Sequence, residues 1–371
     1  MKIFVSFIIV IFVINSCHVG RFAVYNFANI DDYKKFQNRT LAASENPFHF
    51  ISNPDSVNFL PVTKEFNYSS NSEFEEMLNK TKTVCFLVIQ NDTIKYEYYD
   101  DKFTEESMFT SFSMSKSYVS ALVGFAIEDG FIKSVEEPIT NYIKSFKHDG
   151  VEKITIENVL NMRTGIDYNE SYINPFGNVA VGYYGRNLDQ HLSKIKIKDA
   201  PDKKFDYVSI ATQILGIIIA EATGKTVSEY CEEKIWKPLG MEWEASWSLD
   251  KKNGIEKSFC CLNARALDYA KFGRFYLNKG NWEGKQLLSE EWIDKSVTVH
   301  ENTKDNFYQY HWWLEPGRVN NAYGNVDYMA QGILGQFTYI SPKKNTIIIR
   351  LGKKYGNANW RTVFSKIIST I

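Results

Sequence analysis

The chain has 371 residues, of which 44% are hydrophobic and 15% aromatic, enough for one large domain or two ordinary ones with a sizeable core. Its 43 lysines and arginines balance 44 aspartates and glutamates, and a net charge of -1 gives no overall field that would attract nucleic acid. The 21 glycines and 9 prolines form no low-complexity segment and no repeat of fixed period occurs, which argues against disordered, fibrous and solenoid classes.

The first residues form an apolar leader. Lys2 precedes a hydrophobic run over residues 3–14, which is shorter than the about 20 residues that a membrane-spanning helix needs. A run of this length followed by small polar residues is typical of a signal peptide. Residues 14–17 resemble a bacterial lipobox, in which Cys17 would be lipidated, although Asn15 is not the usual small residue. We therefore expect an exported protein, periplasmic or anchored to the membrane through Cys17; a soluble export signal and an uncleaved anchor are the alternatives.

The next segments predict an N-terminal extension, a hairpin and a helix. Residues 18–75 are polar and aromatic with weak periodicity, and we expect them to pack on the main fold without an assignable role. Thr83–Gln90 and Thr93–Tyr99 read as two strands joined by a tight turn. Ser113–Asp129 has the spacing of an amphipathic helix that ends at Gly130.

The rest of the chain is helical in its middle and returns to strands at its end. Helices are predicted over Ile210–Ala222, Ala264–Leu277 and Trp360–Ile371, and a hairpin over Phe337–Ile340 and Thr346–Leu351. The predicted fold class is α/β (α+β): an antiparallel sheet built from both chain ends, flanked by helices. This domain spans residues 76–371 and carries an inserted helical subdomain at about 113–255. A ligand-binding cleft is expected where the two parts meet.

Four cysteines follow the leader. Cys85 lies in an apolar strand, and adjacent cysteines such as Cys260 and Cys261 bond to each other only with strain. Export would permit a disulfide. Buried free thiols are nevertheless the favoured interpretation for Cys85, Cys231, Cys260 and Cys261, and the pairing of the last two stays open.

Several common kinds of site are poorly supported. No His-x-x-x-His, His-Glu-x-x-His or Cys-x-x-Cys pattern occurs, so we predict no metal site and no cofactor. The Gly-x-Ser-x-Gly elbow of α/β-hydrolases is absent, and so is a phosphate-binding Gly-x-x-x-x-Gly-Lys loop.

A serine activated by a lysine is the remaining route to hydrolysis. Ser113 and Lys116 have Ser-x-x-Lys spacing, which places both side chains on one face of a helix. The lysine can take the serine proton only if burial or a neighbouring positive charge lowers its pKa. The same spacing occurs elsewhere, for example at Ser193 and Lys196, but only Ser113 opens a long apolar helix. The alternative is a serine that caps a core helix beside a solvated lysine.

Two further elements could complete such a site. Tyr207 follows a charged loop and directly precedes a strong helix, so it can project into a cleft. A nearby lysine cation would lower the pKa of its phenol and let it relay a proton. Residues 331–335 place glycines before a predicted strand, where the Ile333 and Ser113 amides could form an oxyanion hole. The alternatives are a packing tyrosine and a β-bulge.

Taken together, these elements resemble the penicillin-recognising serine hydrolases, and within them the β-lactamase-related group: class C β-lactamases, the esterases that resemble them and 6-aminohexanoate-dimer hydrolases. The likeness covers roughly residues 80–371 and rests on several short runs: Ser111–Ser117, Gly124–Gly130, Asn161–Ile166, Ile235–Met241 and Gly332–Gln336.

The resemblance implies a role for each matched residue. Ser113 would form an acyl-enzyme, Lys116 would act as its base, and Tyr207 would share the proton transfer. The amides of Ser113 and Ile333 would hold the oxyanion. Ser209 stands where many relatives have asparagine, which contacts substrate and the lysine.

The third motif departs from the family pattern. Ala330, followed by Gln331 and Gly332, occupies the position where β-lactamases and D-alanyl peptidases carry a lysine or histidine that binds the substrate carboxylate. The absence of that cation disfavours penicillins and D-Ala-D-Ala ends as substrates. Tyr184 is a candidate wall of the cleft, because aminohexanoate-type relatives place an aromatic residue there.

The resulting prediction is a serine hydrolase that acts on a small ester or amide. The alternatives are a sensor or binding scaffold that acylates slowly or never, and a β-lactamase or D-alanyl peptidase. The sequence does not indicate the oligomeric state.

Overall fold

A computed structural model describes residues 18–54, 57–64, 70, 73–299, 304–305, 307–315 and 324–371. The predicted leader and the proposed lipidation site at Cys17 lie outside the described residues. Among the described residues, no single helix is long and apolar enough to cross a membrane, although one bent pair, Ser209–Thr223 with Val227–Trp236, meets the criterion by length and composition.

An eight-stranded main sheet joins strands from both ends of the chain. Its pairs are antiparallel except for the last, where Ile51–Ser52 runs parallel to Thr93–Tyr99. The observed order is Tyr308–Gln309, Trp312–Glu315, Asp327–Gly332, Gln336–Ser341, Thr346–Gly352, Thr83–Gln90, Thr93–Tyr99 and Ile51–Ser52. The predicted first hairpin is confirmed residue for residue. Its turn residues Asn91 and Asp92 have φ values of 50° and 57°, as a tight turn between twisted strands requires.

Helices cover both faces of the main sheet. Successive side chains of the strand Thr83–Gln90 point to opposite faces of the sheet. Phe86 and Val88 therefore belong to one apolar core, and Leu87 and Ile89 to the other. The first core is closed by the helices Leu60–Thr63, Glu73–Lys80 and Trp360–Thr370. The second is closed by Ser115–Glu128, Ala266–Leu277 and the helical region.

The helical region lies between the two groups of strands, as predicted. The helix predicted over Ile210–Ala222 spans Ser209–Thr223 and ends at Gly224, whose φ of 70° suits a glycine. The remaining helices of this part are Ile156–Leu160, Asn178–Tyr184, Leu188–Leu192, Val227–Cys231 and the π-helix Glu232–Trp236, and Glu290–Val297 lies nearer the C-terminus.

Smaller sheets complete the fold. Four strands form a second sheet in the order Gln37–Leu41, Ala245–Leu249, Leu262–Ala264 and Phe109–Thr110. Two-stranded pairs join Ile166–Asp167 with Lys196–Ile197, Asn281–Trp282 with Lys285–Gln286, and Thr298–Val299 with Gly324–Asn325.

The N-terminal extension is an integral part of this arrangement. Gln37–Leu41 is the edge strand of the second sheet, and the helix His18–Tyr25 packs against Asn178–Tyr184. The extension therefore packs on the main fold, as expected, and it reaches the helical region that borders the predicted cleft.

The cysteine prediction is half confirmed. Cys85 and Cys231 are buried and free. Cys260 and Cys261, which we expected to be free, form a disulfide with each other. Cys261 adopts a left-handed backbone conformation with φ of 71°, which residues other than glycine rarely adopt.

Candidate active site

Ser113 lies where the chain enters the helix Ser115–Glu128, which is named the nucleophile helix after the predicted role of Ser113. A single 3-10 turn, Phe112–Met114, leads directly into this helix, which is buried along most of its length. Ser113 itself is half-buried. At the N-terminal end of a helix, the aligned peptide dipoles favour negative charge, such as that of a developing oxyanion.

The first turns of the nucleophile helix are fixed by side-chain hydrogen bonds. The Ser115 hydroxyl donates to the Ser258 carbonyl at 3.0 Å, and the Ser117 hydroxyl donates to the His311 carbonyl at 2.8 Å. These bonds tie the helix start to two neighbouring segments, so the position of Ser113 is set by the tertiary fold.

Lys116 points from the same helix face toward Ser113, as the spacing predicts. Its Nζ lies 3.0 Å from Ser113 Oγ and donates hydrogen bonds to Ser209 Oγ at 3.4 Å and to the Phe259 carbonyl at 2.6 Å. The side chain is almost completely buried, with 1% exposure. Burial lowers the pKa of Lys116 to about 7, against an opposing attraction from the Glu170 carboxylate. A large fraction of this amine is therefore neutral near pH 7.

Tyr207 approaches the same lysine from the start of the helix Ser209–Thr223. Its ring centroid lies 5.4 Å from Lys116 Nζ, and the ring stacks on Trp313 with 5.7 Å between centroids. The expected lowering of its phenol pKa is wrong: burial and the Glu170 carboxylate raise the pKa of Tyr207, and its interaction with the Ser113 side chain only partly opposes this. The lysine is itself desolvated and readily neutral, so it exerts little of the cationic field that the prediction assumed.

Ser209 links the lysine to a carboxylate that the sequence interpretation missed. The Ser209 hydroxyl accepts a hydrogen bond from Lys116 and donates one to Glu170. The Ser209 amide also donates to Glu170 at 2.8 Å, and the Tyr172 hydroxyl donates to the same carboxylate at 2.8 Å. Glu170 thus anchors the start of the helix behind Tyr207.

A cavity of about 280 Å³ opens in front of Ser113. Its walls bring together Ser113, Ser209, Ile333 and Tyr184, four of the residues singled out in the sequence. The other lining residues are mainly aromatic and aliphatic: Phe27, Ala28, Phe112, Tyr172, Val179, Ala180, Tyr183, Phe259, Cys260 and Leu334. None of the described residues that line this cavity carries a charged side chain.

Two residues of the third motif are placed differently from expectation. Gln331 and Gly332 lie in the strand Asp327–Gly332 and are not among the lining residues of the cavity. A Cβ on Gly332 would lie 2.5 Å from the Ser111 carbonyl oxygen, so this glycine permits a close approach of the strand to the chain before Ser113. Ala330, at the position of the missing cation, is buried.

The ring of Tyr184 lines the cavity, whereas its hydroxyl forms a hydrogen bond with the N-terminal extension. That hydroxyl donates to the Asn26 carbonyl at 2.6 Å, and the ring contacts Phe22 with 5.3 Å between centroids. The extension reaches the cavity at Phe27 and Ala28, so it forms part of one wall.

Glu170 and the Phe259 carbonyl were missed for identifiable reasons. A main-chain carbonyl gives no signal in a sequence, and Glu170 lies in a loop with no periodicity to mark it. Within the part of the chain that the structure describes, no group of three or more His, Cys, Asp or Glu residues could hold a metal ion.

The chain is similar in sequence to known proteins. A family model described as beta-lactamase matches residues 72–362. A 6-aminohexanoate-dimer hydrolase from Paenarthrobacter ureafaciens is 26% identical over 301 residues, 75% of this chain and 74% of that protein.

Solved structures with the same fold include relatives of two kinds. A Bacillus anthracis protein that bears the name 6-aminohexanoate-dimer hydrolase has a TM-score of 0.79 at 24% identity and covers 91% of each chain. A class C beta-lactamase has a TM-score of 0.62 at 16% identity, over 81% of this chain and 95% of its own. These likenesses confirm the predicted fold.

Proposed function

Because the chain belongs to the beta-lactamase family, we propose that it is a serine hydrolase that cleaves an ester or amide bond through an acyl-enzyme on Ser113. The observation that carries this proposal is the contact between Ser113 Oγ and a buried lysine amine at 3.0 Å. A lysine pKa of about 7 provides the neutral base that such a nucleophile requires.

Acylation follows from the donors and acceptors around Lys116. A neutral amine has two N–H groups and one lone pair. If the N–H groups donate to the Phe259 carbonyl and Ser209 Oγ, the lone pair faces Ser113 Oγ and takes its proton as the oxygen attacks the substrate carbonyl. The amides of Ser113 and Ile333 stabilise the oxyanion, and each such donor contributes about 3 kcal/mol in comparable sites.

Tyr207 donates the proton to the leaving group. Its raised pKa keeps the phenol protonated at neutral pH, so it acts as a proton donor that the ammonium of Lys116 then replenishes. Water hydrolyses the acyl-enzyme by the reverse path, with the neutral amine again as base. Ser209 and Glu170 position the lysine throughout.

The cavity favours an uncharged acyl group on a small ester or amide. Its described lining offers aromatic and aliphatic side chains and no cation for a carboxylate, and Ala330 replaces the family's cationic residue. Tyr184 contributes an apolar wall, and Gln331 and Gly332 shape the site from the strand behind it. Hydrolysis of penicillins or D-Ala-D-Ala peptides is accordingly disfavoured.

A fluorophosphonate probe tests the mechanism. We expect an adduct on Ser113, mapped by peptide mass spectrometry, that is absent in Ser113→Ala and strongly reduced in Lys116→Ala. Ser193→Ala is the matched control, because Ser193 has the same spacing to Lys196 but is not among the residues that line the cavity. A folded protein that gives no Ser113 adduct contradicts the proposal and favours a sensor or scaffold of the same fold.

A substrate panel then separates the remaining alternatives. Neutral p-nitrophenyl esters and amides are expected to turn over faster than matched compounds that carry a free carboxylate, including a penicillin or cephalosporin. Preferential hydrolysis of the carboxylated compounds would instead indicate a β-lactamase or D-alanyl peptidase.

The cellular location is a further proposal. The apolar leader and Cys17 support export and a lipid anchor at the membrane. Mass spectrometry of the mature N-terminus distinguishes a lipidated Cys17 from a soluble product or an uncleaved leader.

A further inference from the structure

The segment Lys257–Cys261 forms part of the cavity wall and supports the nucleophile helix. The Ser258 carbonyl accepts a hydrogen bond from the Ser115 hydroxyl at 3.0 Å. The next carbonyl, that of Phe259, accepts one from Lys116 Nζ at 2.6 Å. Two successive peptide groups therefore set the helix start and the orientation of the lysine amine.

A disulfide between adjacent residues follows this carbonyl immediately. The Cys260–Cys261 bond closes a small ring that contains the peptide bond between the two residues. Cys260 lines the cavity, and Cys261 has a φ of 71°, which residues other than glycine rarely adopt. Such a conformation persists only where the surroundings hold it.

The peptide groups of the disulfide are anchored by the second sheet. Trp247 Nε1 donates to the Cys260 carbonyl and the Ser248 amide donates to the Cys261 carbonyl, both at 2.9 Å. The second sheet thus holds the disulfide ring in place, and the ring in turn restrains the adjacent Phe259 carbonyl.

We propose that the Cys260–Cys261 disulfide is a reducible site in the cavity wall that positions the Phe259 carbonyl on Lys116, so that reduction slows acylation of Ser113. This inference rests on the proposed function. The disulfide does not enter the reaction; it acts through the orientation of the lysine amine.

The redox step is a thiol–disulfide exchange with a dithiol. The dithiol supplies two electrons and two protons, its own sulfurs become a disulfide, and the Cys260–Cys261 bond breaks to give two thiols. The two sulfurs must then separate from bonding distance to van der Waals contact. In so small a ring, and with both cysteines buried, we expect this separation to turn the peptide between them.

This turn of the peptide affects Lys116. When the peptide turns, Cys261 leaves its left-handed conformation and the Phe259 carbonyl withdraws from Lys116. The amine then loses its shortest hydrogen bond and the restraint that directs its lone pair to Ser113. Small displacements of a reacting group reduce rates steeply, so we expect a loss of about tenfold or more in the acylation rate.

The experiment measures fluorophosphonate labelling of Ser113 in the full chain under oxidising and reducing conditions. Dithiothreitol is the reductant, oxidised glutathione restores the disulfide, and differential alkylation with mass spectrometry maps the thiols to individual residues. We expect the labelling rate to fall as Cys260 and Cys261 become alkylatable and to recover on reoxidation. The maximal labelling rate should fall more than the apparent probe affinity, because the lysine and not the apolar wall is displaced.

Variants separate this role from a loss of folding. Cys260→Ser/Cys261→Ser should label slowly and be insensitive to dithiothreitol, with its folding checked by circular dichroism. Cys231→Ala, which removes a buried free thiol away from the cavity, should respond to reduction as the unaltered chain does. If the double variant does not fold, reversible reduction of the unaltered chain still decides the question.

The outcomes distinguish this inference from the proposed function. Alkylation of Cys260 and Cys261 without prior reduction overturns the disulfide, and an unchanged labelling rate after complete reduction overturns its positioning role. In both cases, Ser113 still labels and the hydrolase mechanism stands. An absence of Ser113 labelling in both redox states overturns the mechanism and this inference with it.

Discussion

Replacing Glu170 by glutamine is expected to move the pH dependence of Ser113 acylation to lower pH. In the proposed mechanism, acylation requires neutral Lys116, so its rate should rise with pH through the pKa of that lysine, at about 7, and level off above it. The Glu170 carboxylate stabilises the ammonium form and raises this pKa. Removing the negative charge favours the neutral amine, so the acidic limb of the pH–rate profile moves to lower pH.

The size of the shift follows from the hydrogen-bond chain. Lys116 Nζ lies 3.4 Å from Ser209 Oγ. The Ser209 hydroxyl in turn donates a hydrogen bond to Glu170, so the two charges are at most about 6 Å apart. At an effective dielectric constant of about 20, their attraction is about 3 kcal/mol, or about two pH units. Because Glu170 is only half-buried, solvent screening reduces the expected shift to about one unit.

The assay is the rate constant of fluorophosphonate labelling, measured from about pH 5 to about pH 10 at constant ionic strength. Glutamine keeps one oxygen for the hydroxyls of Ser209 and Tyr172, and its NH2 group replaces the oxygen that accepts from the Ser209 amide. The variant therefore removes the charge and one hydrogen bond with little change of shape. Glu221→Gln is the matched control, since Glu221 is exposed on the same helix as Ser209, and its profile should not move. An acid limb that stays in place, or moves to higher pH, in Glu170→Gln would refute Lys116 as the titrating base.

Three further substitutions test separate parts of the site. Tyr207→Phe removes the proposed proton donor and should slow ester turnover by about 100-fold while leaving the acid limb in place; an unchanged turnover number excludes that role. Gly332→Ala places a Cβ 2.5 Å from the Ser111 carbonyl oxygen and should lower the free energy of unfolding by about 1–3 kcal/mol, measured by denaturant titration; unaltered stability would contradict the close approach. Tyr184→Phe loses the hydrogen bond to the Asn26 carbonyl and should cost about 1 kcal/mol in the same titration, with the Ser113 labelling rate preserved. A fall in the labelling rate would instead mean that this hydroxyl contacts the substrate.

The fold was predictable where local patterns are strong. Thr83–Gln90 and Thr93–Tyr99 combine apolar, β-branched residues with a two-residue turn, and their boundaries agree with the structure. The helix Ser209–Thr223 has a continuous apolar pattern and a terminal glycine, and its ends are correct within one residue. The weakly periodic extension gave no such signal, because Gln37–Leu41 becomes a strand only by pairing with Ala245–Leu249.

The candidate site was predictable to the extent that its residues share one element or a recognisable motif. Ser113 lies in the 3-10 turn that runs directly into the helix of Lys116, three residues away, so their proximity is local. Glu170 and the Phe259 carbonyl reach Lys116 only through the packing of distant loops, and no spacing in the sequence marks them.

The sequence by itself predicted the first hairpin, the helix Ser209–Thr223 and the proximity of Ser113 and Lys116, because these depend on residue type and short-range spacing. Only the tertiary structure decided the ionisation of the site. Burial lowers the pKa of Lys116 and raises that of Tyr207, opposite to the sequence expectation for the tyrosine, because desolvation depends on what surrounds a side chain. The structure likewise decided the Cys260–Cys261 bond, because the sequence left the pairing of these two cysteines open.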